Sequence, residues 1–377
     1  MKNSQIHIGV DCRLFSSKFT GIGRYTHEIV NYLIANHKGK ITLFFNDPEY
    51  SKFKITKPNV QKILVNSPHY SFAEQTKFLI ALNKANADIV HFPHFNIPIF
   101  YNKPYIVTIH DLILSFFPGN KMTRFYHRWA YQIVLKNSVI KAKKIISVSN
   151  STKEDIKKHL KIKASKIKTI YNGVSDSFFP VKSQSALDKT LKKYKIKTPF
   201  LLYTGVWRSH KNLPRLIEAL QILKNKNLDL SLVITGKPDP HYPEVLNTIK
   251  NLNLKNDITL TGLVGESELN HLYNAAKIYT FPSLYEGFGL PPLEAMKCLT
   301  PVVASNVSSI PEICNGNAIL FNPYSPQDIA DKIELLYKDT DLQADLIGRS
   351  KQYAEKFTWQ KTAEETYKLL CSYHSKN

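Results

Sequence analysis

Cysteine is scarce in this chain, with four among 377 residues. Cys12, Cys298, Cys314 and Cys371 are scattered, with no Cys-x-x-Cys pair and no histidines at zinc spacing. This excludes a disulfide scaffold and a zinc ribbon, and predicts reduced structural thiols in a cytoplasmic protein. No apolar run approaches the ~18 residues that a membrane-spanning helix needs. The opening "MKNSQIHIGVDCRL" is interrupted by His7 and Gly9 and is too short for a secretory signal, so it reads as the first buried strand of a sheet. Low-complexity tracts and short-period repeats are absent, and no Asp-x-Asp metal site is evident, which predicts no required divalent ion. What the first half lacks is acid. Residues 1–198 carry 33 lysines and arginines against 11 acids, whereas residues 199–377 carry 18 against 19. That asymmetry suggests a polyanionic partner for the first half, nucleic acid or an anionic lipid surface. An AT-rich genome, which favours lysine, asparagine and isoleucine, can by itself account for such a composition, but does not obviously explain the imbalance between halves.

The length fits two domains, and the apolar content lets each bury a core. Ile- and Val-rich runs of strand length recur in the first half: 6–10, 41–45, 62–65, 88–92, 105–109, 144–148 and 166–170. Helical patterns fill the gaps at 23–37, 73–86, 121–141 and 150–160. Several of the strands are apolar without alternation, as a parallel sheet covered on both faces requires. The stretch "PVKSQSALDKTLKKYKIKTP" (180–199) is polar, basic and bounded by prolines, and marks a domain junction. The alternation then restarts. Strands are expected at 200–205, 230–236, 258–262, 278–283 and 301–305, with helices at 212–227, 241–252, 266–274 and 291–299. A final helical pattern runs over roughly 340–374. The expected architecture is α/β, with two Rossmann-like doubly wound domains facing across a cleft. Their bounds are 1–190 and 191–355, with a helix over 356–377 packing back on the first. Ligands of such sheets bind beyond the carboxyl ends of the strands.

The motifs fall at those ends. "YEGFGLPPLEA" (285–295) follows a strand. Gly287 and Gly289 permit a tight turn and close backbone approach, and Pro291 and Pro292 suit the first turn of a helix. A glycine-lined helix N-terminus is an anion site suited to phosphate. Glu286 lies before it, and Glu294 is placed in the first helical turn. Carboxylates accept hydrogen bonds from sugar hydroxyls well, so two of them flanking a phosphate cradle suit a nucleotide sugar. The bland alternatives are a favourable helix-terminal charge for Glu294 and a solvated loop residue for Glu286. "YTGVWRSHKNLPRLIEAL" (203–220) adds Gly205, which turns the chain, and Arg208 and Lys211, which can neutralise a diphosphate without a metal. "FTGIGRYTHEIV" (19–30) places Gly21 and Gly23 in a tight loop opening a helix. "VTIHDL" (107–112) ends a strand with His110. "SVSNSTKEDI" (147–156) carries a helix cap at Ser151 or Thr152, and "YNGVSDSFF" (171–179) closes the first half.

"EGFGLPPLE" resembles the signature of family-4 retaining glycosyltransferases, which have the GT-B fold, and the other motifs match in order over nearly the whole chain. The resemblance implies that Glu286 and His110 touch the donor sugar, and that the backbone of Gly287, Phe288, Gly289 and Leu290 holds sugar and pyrophosphate. It implies that Glu294 holds the ribose and that Arg208 and Lys211 bind the donor phosphates. Many members carry arginine directly after the glycine, where this chain has Val206. The loop of Gly21 and Gly23 resembles one facing the donor phosphates and the acceptor. "GIGRY" resembles bacterial mannosyltransferases that build polysaccharides and O-chains. The implied donor is GDP-mannose, with UDP-hexoses and dTDP-rhamnose open, and the implied acceptor is a glycan or lipid-linked glycan. No nucleophilic carboxylate is evident, which fits the family's proposed same-face mechanism.

"KMTRFYHRWAYQIVLKNSVIKAKK" (121–144) contains no acid. Phe125, Trp129, Ile133 and Val134 are interleaved with Lys121, Arg124, Arg128, Lys136, Lys141, Lys143 and Lys144. Such a helix can lie on the anionic inner face of a membrane, or it can be half-buried with its lysines in solvent. A polyanion-binding protein is the rival from another class. Scattered lysine, scarce arginine and the lack of a nucleic-acid motif argue against nucleic acid. A nucleotide-sugar epimerase on the same architecture would use a different constellation.

Overall fold

A computed structural model describes residues 6–16, 21–117 and 125–373, with residues 125–127 described in backbone only. The described residues form two units. The first is drawn from 1–112, 122–173 and 358–377, and the second from 113–121 and 174–357.

The first unit holds a parallel sheet of seven strands: β1 (Ile8–Asp11), β2 (Ile41–Phe45), β3 (Val60–Leu64), β4 (Ile89–Phe92), β5 (Tyr105–Ile109), β6 (Lys144–Ser147) and β7 (Ile167–Thr169). Their order is β3-β2-β1-β4-β5-β6-β7. Ile8 pairs with Ile41 on one side and Ile89 on the other. Every residue of β1, β2, β4 and β5 is buried, as central strands covered on both faces must be. Helix Trp359–Cys371 belongs to this unit. Its Tyr367 ring lies 5.9 Å from Tyr32 on helix Gly21–Asn36, and Thr362 Oγ1 donates to Tyr171 O at 2.7 Å. Gly173 marks the chain's return. A Cβ there would come within 2.0 Å of the Trp359 backbone nitrogen, so only glycine fits.

The second unit holds six parallel strands: β8 (Phe200–Tyr203), β9 (Ser231–Thr235), β10 (Ile258–Gly262), β11 (Ile278–Phe281), β12 (Val302–Ser305) and β13 (Ile319–Phe321). Their order is β10-β9-β8-β11-β12-β13. The strand order reverses between β8 and β11, so the crevice of this sheet opens beyond the ends of those two strands. Leu216, Ile217 and Leu220 of helix Leu213–Asn225 pack against Leu232 and Ile234 in its core.

Some elements differ from the sequence expectation. The polar stretch 180–199 contains a helix, Gln184–Tyr194, which buries only Leu187 and Thr190. It is held to the second unit by polar contacts, Tyr194 Oη to Glu268 at 2.7 Å and Thr190 to His271 at 2.7 Å. The final pattern is two helices, Thr340–Ala354 and Trp359–Cys371, the second capped by Thr358. The helix over 150–160 is capped by Ser149, whose Oγ accepts from Thr152 N at 3.0 Å, rather than by Ser151 or Thr152. The chain has one Asp-x-Asp, Asp339-Thr340-Asp341, and there Asp339 caps helix Thr340–Ala354 by accepting from Leu342 N at 2.8 Å. No described helix is long and apolar enough to cross a membrane.

Candidate functional site

The two richest motifs of the second half lie at the reversal of its sheet. The loop after β8 carries Gly205, Arg208 and Lys211, and the loop after β11 carries residues 282–289. Hydrogen bonds bind these loops together. Leu284 N donates to His210 O at 2.7 Å, and Asn212 Nδ2 donates to Pro282 O at 3.1 Å and Pro323 O at 2.8 Å. Asn212 holds φ +59° to reach both, a left-handed conformation that asparagine tolerates well. Gly205 holds φ +142°, a conformation that favours glycine. A Cβ on Gly236, the residue after β9, would meet Gly205 O at 2.0 Å, so glycine at 236 lets these loops touch backbone to backbone.

Lys211 Nζ donates to Glu286 Oε1 at 2.5 Å, and both side chains retain some exposure, 15 % and 11 %. An ammonium has three donors, and this carboxylate occupies one of them. Arg208 is exposed at the rim of the same loop. Beside the pair, His210 is buried, and its pKa is lowered to about 4 by burial first and by the Lys211 charge second. The site's cationic character therefore comes from Lys211 and Arg208, not from His210.

The loop following Glu286 is tied back through its carbonyls. Ser308 Oγ donates to Glu286 O at 2.7 Å, and Ser309 Oγ donates to Glu286 O at 3.0 Å and to Phe288 O at 2.7 Å. The Phe288 ring is buried against Phe357, so only its backbone can face a ligand. Gly289, at φ +103°, caps helix Leu290–Lys297. The first amides of that helix have no intrahelical partner; Pro291 and Pro292 take positions that need none. The two serines carry no motif and were not singled out from the sequence.

Glu294 is the fifth residue of that helix, in its second turn rather than its first. The favourable helix-terminal charge fades beyond the first turn, so that explanation of Glu294 falls away. Its Oε2 accepts from Tyr273 Oη at 2.8 Å. Tyr273 in turn shares Thr204 Oγ1 with Tyr279, at 3.0 Å each. Both phenols are fully buried, and burial, followed for Tyr273 by the Glu294 charge, pushes its pKa well above the usual tyrosine range. Tyr273 therefore stays a neutral donor that fixes one carboxylate oxygen. Sequence reasoning passed over it because an apolar-faced helix hides a polar use of tyrosine.

In the first unit, His110 follows β5. Its Nε2 donates to Pro93 O at 2.9 Å, and its ring meets Tyr25 edge-on at 4.9 Å. Burial lowers its pKa to about 4, so the ring is neutral and Nδ1 is left as an acceptor. Gly21 and Gly23 lie within the first turn of helix Gly21–Asn36, not in a loop; Phe19 and Thr20 of that motif are outside the described residues. One cluster escaped the sequence reading. Arg13 binds Asp11 through Nε at 2.9 Å and Nη2 at 2.8 Å, and Asn96 O through Nη2 at 2.9 Å. Glu74 lies 3.5 Å from the same guanidinium, all three side chains being nearly inaccessible. Glu74 and Asn96 are far from Asp11 and Arg13 in sequence, and no local pattern brings the four together.

Two doubly wound sheets, one with a cation–carboxylate pair and a glycine-capped helix at its reversal point, define the GT-B class of glycosyltransferases. Family models agree: residues 187–353 match "Glycosyl transferases group 1" and residues 19–178 match "Glycosyltransferase Family 4". The chain belongs to these glycosyltransferases. It is 28 % identical over 375 residues to the O-antigen chain mannosyltransferase B of Escherichia coli, covering 93 % of this chain and 96 % of that one. It is 30 % identical over 227 residues to the serotype-specific mannosyltransferase WbdA of Escherichia coli, covering 59 % of this chain but 28 % of that one. The chain thus spans little more than a quarter of that relative. Among solved structures, sucrose-phosphate synthase from Thermosynechococcus elongatus superposes with a TM-score of 0.79 at 19 % identity, covering 99 % of this chain and 100 % of that one.

Proposed function

We propose that the protein transfers a hexose with retention of configuration from a nucleotide diphosphate sugar to a hydroxyl of a polysaccharide or lipid-linked acceptor. The proposed setting is cell-envelope glycan synthesis, on the cytoplasmic side and in peripheral contact with the membrane. The observation that carries this reading is the Lys211–Glu286 pair beside the Gly289-capped helix, at the reversal point of the second sheet. On this reading the donor diphosphate takes up the remaining donors of Lys211 and is reached by Arg208. Together with the amides of residues 287–290 they stabilise the leaving diphosphate, with no required metal. Glu286 accepts from donor-sugar hydroxyls. Glu294, oriented by Tyr273, accepts from the ribose. Gly205 lets the loop after β8 approach the phosphates. In the first unit, His110 presents Nδ1 as an acceptor for a sugar hydroxyl, and Gly21 and Gly23 open a helix whose N-terminus faces an anion. The relatives' mannosyltransferase names favour GDP-mannose, with a UDP-hexose or dTDP-rhamnose as the alternative donor.

Calorimetric titration with GDP, UDP and dTDP, on the wild type and on Glu294→Ala, tests this. The expected result is preference for GDP, with Kd raised about tenfold or more in the variant. Preference for UDP or dTDP moves the donor assignment. Absence of binding by all three overturns the site.

A further inference from the structure

The second unit is not built from the second half of the chain alone. Residues 113–121 belong to it, and of these 113–117 are described. They read "ILSFF", beginning three residues on from His110. Four of the five are apolar, so the segment needs a surface to cover it. Ile113–Phe116 forms a single helical turn, closed by Phe117 N donating to Ile113 O at 2.6 Å. A lone turn does not hold itself together in water, so this one is held by what its side chains touch.

They touch the clasp between the loops after β8 and β11. The Phe116 ring lies 5.0 Å from that of Tyr285, tilted by 49°. The Phe117 ring lies 5.9 Å from His210 and 6.4 Å from Tyr285. These are the separations of packed aromatic pairs. Tyr285 immediately precedes Glu286, and His210 immediately precedes Lys211. The backbone bond that joins the two loops, Leu284 N to His210 O, is made by His210 and by the residue before Tyr285. Phe116 and Phe117 therefore cover the neighbours of both members of the Lys211–Glu286 pair. The covering is close, since Tyr285 and His210 are only 9 % and 3 % exposed. Phe117 itself is half-buried, and Phe116 is 36 % exposed.

We propose that Phe117, with Phe116 beside it, is a positioning residue for sugar transfer: by packing on His210 and Tyr285 it fixes the register of the two loops on which the Lys211–Glu286 contact depends. A hydrogen bond kept from water is stronger than one that water competes for, and the bond from Leu284 to His210 lies among these rings. The pair is joined by one hydrogen bond, so a small slip of either loop parts it. Displacing a catalytic group by about 1 Å can cost about a hundredfold in rate. The proposal rests on the reading that Lys211 meets the leaving diphosphate and Glu286 the donor sugar.

The full chain is compared with Phe117→Ala, Phe117→Leu and Phe116→Ala. Calorimetry gives Kd for a nucleoside diphosphate and for its sugar: GDP with GDP-mannose, UDP with UDP-glucose, or dTDP with dTDP-rhamnose, whichever the wild type binds. Glu286 touches the sugar, so Phe117→Ala raises the ratio of the sugar nucleotide's Kd to the diphosphate's about threefold or more. Phe116→Ala, at the more exposed ring, raises it less, and Phe117→Leu, which keeps most of the cover, restores it. A second readout needs no nucleotide. Burial is the first cause of the lowered His210 pKa, so uncovering the ring in Phe117→Ala moves it from about 4 toward 6.5, followed by NMR titration. An unchanged ratio, an unchanged His210 titration, or equal weakening of both ligands, as a merely structural role would give, overturns the proposal. If the wild type binds none of the nucleotides, the proposed function fails; a raised His210 pKa then still supports Phe117 as the residue that sets the clasp, and an unchanged one removes it.

Discussion

Each unit contains a cation set against glutamate, and the two are built for different ends. Arg13 is inaccessible, held bidentate by Asp11, with Asn96 O on the same nitrogen and Glu74 at 3.5 Å. Its cation also lies 3.9 Å from the Phe78 ring centroid. Nothing about it is open to exchange. Lys211 makes one bond to Glu286, at the partly exposed end of two loops. A saturated buried pair holds a fold, and removing one partner strands a charge. A singly bonded pair that keeps some exposure has donors left over, and on the proposed reading those take up a ligand. Burial and the count of satisfied donors, not the residue types, distinguish the two pairs.

That contrast can be broken by substitution. The largest expected effect is on Lys211→Ala, which on the proposed reading lowers transfer about a hundredfold or more by removing a charge that stabilises the leaving diphosphate, while its loss of stability in urea titration is smaller than that of Arg13→Ala. Arg13→Ala reverses the pattern: stability falls by about 3–5 kcal/mol in urea titration. If both variants lost stability and activity alike, the distinction would be wrong. Tyr273→Phe comes next, releasing one oxygen of Glu294; nucleotide diphosphate affinity falls about threefold to tenfold, read by calorimetry. The smallest effect is a matter of pH. Burial raises the Glu74 pKa from 4.5 to about 7, against the opposing pull of Arg13. Between those values the folded state binds more proton than the unfolded one, so this contribution is complete below pH 4.5 and is lost as pH rises to about 7. Glu74→Gln should flatten the stability profile over that window, measured by thermal unfolding at a series of pH values.

Much of this was legible in the sequence because it is local. The central strands are apolar runs, and β2, β5 and β10 have the bounds that those runs indicated. The glycine and proline punctuation of 285–295 placed a helix N-terminus where one is found. Helix Gln184–Tyr194 was missed because its contacts to Glu268 and His271 are polar, and a periodicity search counts apolar residues. Ser308, Ser309 and Tyr273 were missed for a related reason: each acts through hydrogen bonds to residues about twenty or more positions away, and nothing in its own neighbourhood announces those bonds. The position of Glu294 in its helix depended on where the helix starts, a boundary that two successive prolines blur.

The return of the chain at Gly173 has a consequence for synthesis. Helix Trp359–Cys371 completes the first unit, where Tyr25 meets Trp359 at 6.3 Å and His37 reaches Tyr367 at 3.4 Å. On the ribosome these partners emerge more than three hundred residues apart. The first unit must therefore wait, unfinished, through translation of the whole second unit, with the face of helix Gly21–Asn36 still bare. A pause or premature stop between residues 358 and 371 would leave a complete second unit attached to an unsealed first one, a natural client for chaperones.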